Sequence, residues 1–366
     1  MTFVTLFPGA TNIHLTKDVG MIPFIMHKYY GYDSTLVCYK NDEYDYLETE
    51  VKGLKIDFLE KKTGNSTVDG LLYLIKNSRK IDVLHLFHIS KRSFIWILVY
   101  KTLNPKGKVY LKLDVDHRIK EKDRQKSPFK VFLIKKILSM CKLVSVETKQ
   151  LYSWIKENWN MDIEYIPNGF YDKGMRHNVA YDNKENIILT VGRIGTRQKA
   201  TEILLKAFEI AHEKIPNWKL MLVGPIEEEF KNYVQAFFKN NPHLEERVVF
   251  TGPIYDRNLL DEIYRKSKIF CLPSRWESFG IVLVEALKNG CYIITSDIPL
   301  ADDVTDNGKY GKKFAVDDFH ELASLLVNVC NSDEINEKKV QEIQDFAYRN
   351  FYWPEICKKI HEKLNE

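Results

Sequence analysis

The chain has 366 residues, 45% of them hydrophobic and 28% charged, with a formal net charge of +4, a profile that fits a folded protein of two medium domains. Its longest apolar run, Ser93 to Tyr100, is far short of the roughly 20 residues needed to cross a bilayer, and the opening stretch MTFVTLFPGATNIHL has no basic start and no small-residue cleavage site, which argues against a secretory leader and for a cytoplasmic protein. The six cysteines are scattered without a CxxC pair, which argues against a zinc site or a disulfide frame and for reduced structural thiols.

Short β-branched or apolar runs alternate with helix-like stretches along the whole chain, and this predicts parallel sheets wrapped by helices, the α/β class. In the first half the predicted strands are Phe3 to Phe7, Ser34 to Cys38, Val83 to Phe87, Val109 to Leu113, Leu143 to Val146 and Glu164 to Ile166; helix candidates include Gly20 to Tyr30, Val68 to Ser78 and Lys149 to Asn158. Residues 1–180 carry 29 basic and 20 acidic side chains. Most of that excess lies between Arg118 and Lys142, where Phe129, Phe132, Leu133, Ile137 and Leu138 recur near helical spacing among lysines, the pattern of a basic amphipathic helix.

The stretch from Ile166 to Asn186 breaks the alternation with Pro167, Asn168, Gly169 and a polar run and reads as a linker. Domains are therefore expected over 1–178 and 183–349. After the linker the predicted strands are Ile187 to Val191, Lys219 to Val223, Arg247 to Phe250, Ile269 to Leu272 and Tyr292 to Ser296. Helices are expected over Ala200 to Glu213, Glu227 to Lys239, Arg257 to Lys266 and Ile281 to Asn289, and from Phe319 onward. This is a second doubly wound unit, and such units bind ligands at the C-terminal ends of their strands.

Two segments of the second half carry chemistry. In PSRWESFGIVLVEA, Gly280 precedes an apolar helix, so the N–H groups of Phe279, Gly280 and Ile281 are candidate free donors for an anion. Glu277 lies before that turn, and Glu285 just over one turn into the helix, placed to accept hydrogen bonds from a vicinal diol. The plain alternative is a capping box with Ser278 at the N-cap. In VGRIGTRQKATEILLKAF, Arg193 follows a strand end and Lys199 opens the next helix, with Gly192 and Gly195 keeping the loop narrow. Both cations could reach a diphosphate, whereas Arg197 reads as a solvated loop residue. In the first half, LKLDVDHRIK contains a DxD at Asp114 and Asp116, a pattern that can hold a divalent metal, weighed against a bland or acceptor-side role.

The pair Glu277 and Glu285 within PSRWESFG, the pattern of Gly192, Arg193 and Lys199, and the IPNG link at Asn168 and Gly169 together resemble the retaining GT-B glycosyltransferases of the large family 4 type, which include bacterial polysaccharide and glycogen-synthase-like enzymes. The resemblance covers most of the second half. It implies two Rossmann-like domains facing a central cleft, with the last helix, in FAYRNFYWPEICKKIHEKL, crossing back to the first domain at about residue 350. It also implies that Arg193 and Lys199 hold the donor diphosphate, that Glu277 contacts the transferred sugar, and that Ser278, Phe279, Gly280 and Ile281 lie at the sugar and phosphate. Glu285 would bind the ribose, and Tyr255 would lie near the base. In the first half the family implies cleft residues at Gly9, Asp116, His117 and Asn168, although FPGATNIHLTKD has one glycine where many relatives have a pair.

The activity implied by the resemblance is transfer of a sugar from a nucleoside-diphosphate sugar, with uridine the base favoured by family frequency, to a glycan, lipid-linked or protein acceptor. Retention of anomeric configuration is implied, in bacterial cell-surface polysaccharide or glycoconjugate synthesis, with no cofactor, no metal and no nucleic-acid partner. The basic stretch 118–142 then suggests peripheral contact with an anionic membrane at its inner face, against the plain reading of a solvated lysine face. A non-catalytic partner subunit and a nucleotide-sugar epimerase on the same scaffold remain the alternatives.

Overall fold

The computed structural model describes residues 1–113 and 128–366. They form two units, the first from Met1–Gly174 with Phe351–Glu366, the second from Met175–Asn350.

The first unit is built on parallel strands β1 (Thr2–Leu6), β2 (Asp33–Cys38), β3 (Lys55–Phe58), β4 (Val83–Phe87), β5 (Lys108–Lys112), β6 (Leu143–Val146) and β7 (Glu164–Tyr165). Among the described residues their order is β3-β2-β1-β4-β5-β6-β7. Period-two alternation sends Phe3 to one face of the sheet and Val4 and Leu6 to the other, as buried parallel strands require. Phe3's face packs on the helices Asp18–Tyr30 and Trp353–Asn365. The opposite face is covered by Ser66–Asn77, Lys91–Leu103, Pro128–Leu138 and Lys149–Trp159.

The C-terminal helix belongs to this first unit, as the sequence implied. Phe170 N–H donates to Phe351 O at 2.9 Å and Trp353 N–H to Phe170 O at 3.0 Å; Lys108 Nζ reaches Leu364 O at 2.6 Å. Under Trp353 lies the ammonium of Lys112, fully buried, 3.1 Å from Asp18 Oδ2 and 3.0 Å from Glu147 Oε1. Burial alone would lower the Lys112 pKa, but the pull of Asp18 and Glu147 outweighs it and raises the value, so the charge is kept by its partners.

The second unit repeats the plan with β8 (Glu185–Val191), β9 (Lys219–Val223), β10 (Val248–Gly252), β11 (Ser267–Leu272), β12 (Tyr292–Ser296) and β13 (Gly311–Phe314), again parallel, in the order β10-β9-β8-β11-β12-β13. The fold class is thus the expected one, α/β with two Rossmann-like doubly wound units. Outside the sequence expectation lie the edge strands β3 and β13 and the helices Tyr46–Thr49, Lys91–Leu103 and Ala301–Thr305. β3 is largely exposed, so no apolar alternation marks it. The predicted linker is also narrower than read, because Ile166, Asn168 and Phe170 are buried in the first unit and Val179 in the second.

Candidate donor site

In the second sheet the strand order reverses between β8 and its neighbour β11, and a reversal of this kind opens a crevice at the C-terminal strand ends. The two loops that leave those ends, Gly192–Ala200 and Pro273–Gly280, carry the predicted cations and carboxylate, and they are laced together. Arg275 N–H donates to Gln198 O at 2.8 Å, and the Arg275 guanidinium reaches Arg197 O at 2.7 Å and Glu202 Oε1 at 2.6 Å.

At the centre of this lacing is Glu277. Its Oε1 takes an ion pair from Lys199 Nζ at 2.6 Å and a hydrogen bond from Ser274 Oγ at 2.7 Å, while Gln198 Nε2 lies 3.3 Å from Oε2. The Glu277 side chain is 8% exposed and that of Lys199 18%, so the pair is largely shielded and its geometry fixed. Two of the three residues read from sequence as catalytic are therefore in direct contact. The third, Arg193, is in the same loop, exposed, and makes no ion pair or side-chain hydrogen bond among the described residues.

Glycines set how closely these parts approach. The stem of Lys199 runs over Gly192, where an added Cβ would lie 3.3 Å from Lys199 Cε. Behind it, Gly224 has φ +143° and a Cβ there would meet the Gly192 carbonyl oxygen at 1.8 Å. Gly195 has φ +90°, and a Cβ would meet the Phe230 ring at 2.2 Å. The loop is thus held between the backbone at Gly224 on one side and the Phe230 ring at Gly195, an approach that only glycine permits.

The helix Ile281–Lys288 is capped by Gly280 in the left-handed region, φ 73° and ψ 60°, with no side-chain cap. The capping-box alternative is corrected here: Ser278 is exposed and lies two residues before the cap, because the chain turns at glycine. Phe279 is buried, and the N–H groups of Gly280 and Ile281 have no acceptor among the described residues, as expected of a first helical turn. One turn on, Tyr264 Oη donates to Glu285 Oε2 at 3.4 Å. Burial pushes the Glu285 carboxyl above its ordinary value, against the pull of Arg257 and Lys288 and with the help of Asp261. Tyr255 is 88% exposed in the loop after β10.

The first-half candidates are less gathered. Gly9 is exposed beyond β1 with open space where a Cβ would go. Asn168 is buried, its side-chain oxygen accepting from Lys112 Nζ and its Nδ2 donating to Glu147 Oε1 at 3.0 Å, so it is tied into the first unit's ion network. Asp116 and His117, like Asp114 and the first ten residues of the basic stretch, lie outside the described residues. Of the two histidines near the β4 end, His85 is fully buried, stacked on Tyr110 and bonded to Thr5 Oγ1 at 3.0 Å. His88 follows the strand with φ 64° beside Phe7.

Residues 174–346 match the family described as glycosyl transferases group 1, a span that nearly coincides with the second unit. The chain has the GT-B fold, and its second unit is similar to the group 1 glycosyl transferases. Over 213 residues the chain is 25% identical to the phosphatidyl-myo-inositol mannosyltransferase of Mycolicibacterium smegmatis, covering 57% of this chain and 53% of that protein. It therefore spans about half the length of the curated relatives it matches. Across 99% of the chain it superposes on 98% of sucrose-phosphate synthase from Thermosynechococcus elongatus with a TM-score of 0.72 at 17% identity. Anabaena HepE in complex with UDP superposes over the whole of both chains with a TM-score of 0.73 at 16% identity.

Within the second unit, sequence reading named Lys199 and Glu277 but not Gln198 and Ser274, which hydrogen-bond Glu277, nor Arg275, which ties the two loops together. The signal was weak because Gln198 and Arg275 meet their side-chain partners Glu277 and Glu202 only across 79 and 73 residues of chain.

Proposed function

We propose that this chain transfers a sugar from a nucleoside-diphosphate sugar to an acceptor hydroxyl with retention of configuration. The observation that carries the reading is the Lys199–Glu277 pair, with Ser274 and Gln198 around it, at the point where the second sheet reverses. When the bond from the anomeric carbon to the phosphate oxygen breaks, negative charge gathers on the diphosphate. Arg193, the outer N–H bonds of the Lys199 ammonium and the open N–H groups at Gly280 and Ile281 are donors suited to that charge. Glu277 orients the Lys199 ammonium and offers acceptor capacity to a sugar hydroxyl, and Glu285 accepts from the ribose. The acceptor oxygen attacks the anomeric carbon from the leaving-group face and passes its proton to a donor phosphate oxygen, so no protein nucleophile and no metal are needed.

Uridine is the proposed base, a choice supported by the UDP complex of the Anabaena protein. A lipid-linked or glycan acceptor of cell-surface synthesis is proposed, supported by the lipid in the name of the mycobacterial relative.

The test is a panel of nucleoside-diphosphate sugars with lipid-linked and glycan acceptors, read as nucleotide release and as glycosylated product. Lys199→Ala, Arg193→Ala and Glu277→Ala should each lower the rate by roughly a hundredfold or more, the scale of losing one transition-state donor, with circular dichroism unchanged. Full activity in all three variants ends the proposal. Conversion of the donor without acceptor would mark an epimerase, and binding without turnover of any donor a non-catalytic subunit.

A further inference from the structure

Three helices of the first unit, Ser66–Asn77, Lys91–Leu103 and Pro128–Leu138, pack in series on one side of its sheet. They connect successive parallel strands, and right-handed crossovers bring such helices to a common side. Each sends apolar residues in two directions. Leu74, Trp96, Ile97 and Leu138 are buried against the sheet. Outward, Val68, Leu72 and Ile75 are 37%, 40% and 57% exposed, Ile95 and Leu98 are 40% and 43%, and Phe132 and Leu133 are 60% and 41%. Val68, Leu72 and Ile75 follow helical spacing, so they share one face. Seven of the 17 exposed large hydrophobic residues among the described ones fall on these three helices, which is a cluster rather than the usual scatter.

Charge is divided in the same way. The one acidic residue on the three helices, Asp69, is 2% exposed and accepts hydrogen bonds from Tyr39 and Thr63. Lys76, Lys91, Lys130 and Lys136 are exposed. Asp57 and Glu60 line the groove beside Ser66–Asn77 at the sheet edge, where Lys62 and Lys76 line it too.

We propose that this three-helix face is a docking surface for an anionic bilayer. Apolar tips interleaved with lysines, on helices that carry no exposed carboxylate, match the boundary between headgroups and acyl chains, where anionic headgroups take the ammonium groups. A second copy of the chain is the poorer occupant, since self-pairing would set lysines against lysines with no acid on the helices to answer them. The surface includes the described end of the basic stretch read from sequence and adds two helices that sequence did not single out. It does not depend on the sugar-transfer reading, because its test reads binding.

The experiment is flotation of the full chain with vesicles of phosphatidylcholine alone or mixed with phosphatidylglycerol. Binding is expected to the mixed vesicles, weakened by salt, and little to the neutral ones. A variant with Leu72→Ser, Ile75→Ser, Ile95→Ser and Leu98→Ser should lose roughly tenfold or more in vesicle affinity. Lys91→Glu with Lys136→Glu should lose roughly fivefold or more for each reversed charge, and provides a second test should the serine variant fail to fold. Undiminished binding in either folded variant overturns the proposal, as does equal binding to neutral vesicles. Absence of binding together with a dimer in sedimentation velocity would assign the face to a second copy instead.

Discussion

Glu285 shows how burial acts on a carboxyl that is proposed to bind ribose. Its proton is held above the ordinary glutamate range, chiefly by burial. The folded chain therefore binds that proton more tightly than the unfolded chain, and this contribution to stability declines as pH rises from the ordinary value through the raised one. A ribose that donates to the carboxylate favours the charged form, so nucleotide binding should expel the proton. The expected outcome is a UDP affinity that increases with pH through the raised pKa and then levels off, with proton release visible by calorimetry in buffers of different ionisation enthalpy. Glu285→Gln should flatten that profile and weaken binding about tenfold to a hundredfold, the range for losing a charged hydrogen-bond partner. A flat profile in the unaltered chain would remove Glu285 from the nucleotide. At this scale the sequence was informative where a residue's type and spacing suffice, as for Glu277 and Glu285 on either side of a helix start. It was silent on Arg275, whose guanidinium works by bonding Arg197 O and Glu202 across the chain.

Elements were legible where burial imposes a period. β4, β9 and β12 coincide with their predicted spans because each is an apolar run in a sheet interior. The helix Lys91–Leu103 went unread because apolar residues on its buried face, Trp96 and Ile97, and on its outer face, Ile95 and Leu98, blur the helical period. Gly224, after β9, is a residue whose meaning belongs to the element level: only the packing of β8 beside β9 reveals that its missing Cβ makes room for the Gly192 carbonyl. Gly224→Ala should cost about 1–3 kcal/mol in stability through the positive φ and the clash, and should lower transfer because the displaced Gly192 carries the stem of Lys199. Gly9→Ala is the contrast, since nothing lies within 4 Å of the added Cβ; its Tm should stay within the small range of surface substitutions, about 0.5 kcal/mol in stability. Thermal melts alongside initial rates check both, and an unperturbed Gly224→Ala would mean that the loop yields without consequence.

The two units differ in how much of their chemistry could be read. The second keeps Arg193, Lys199 and Glu277 within two loops at one sheet reversal, so local motifs point to the candidate site. The first spreads its distinctive groups, Asp18, Lys112, Glu147 and Asn168, along the chain and joins them only by folding. That division has a thermodynamic consequence, because units with separate cores need not melt together. UDP bound to residues 175–350 should raise the melting of the second unit, by about 2.7 kcal/mol at a hundredfold excess over Kd. Acid should act on the first unit through His85, whose pKa burial holds well below the ordinary value, with Lys112 adding to the effect. The unfolded chain takes up a proton at His85 that the folded one refuses, so stability is unaffected above the ordinary histidine pKa and falls as pH drops below it, by at most about 1.4 kcal/mol per pH unit. Calorimetry from pH 7 to pH 5 should therefore show one transition that moves with acid and another that moves with UDP. His85→Gln should reduce the acid slope of the first without altering the nucleotide response of the second. A single transition shifted equally by acid and by nucleotide would show instead that the chain unfolds as one cooperative body.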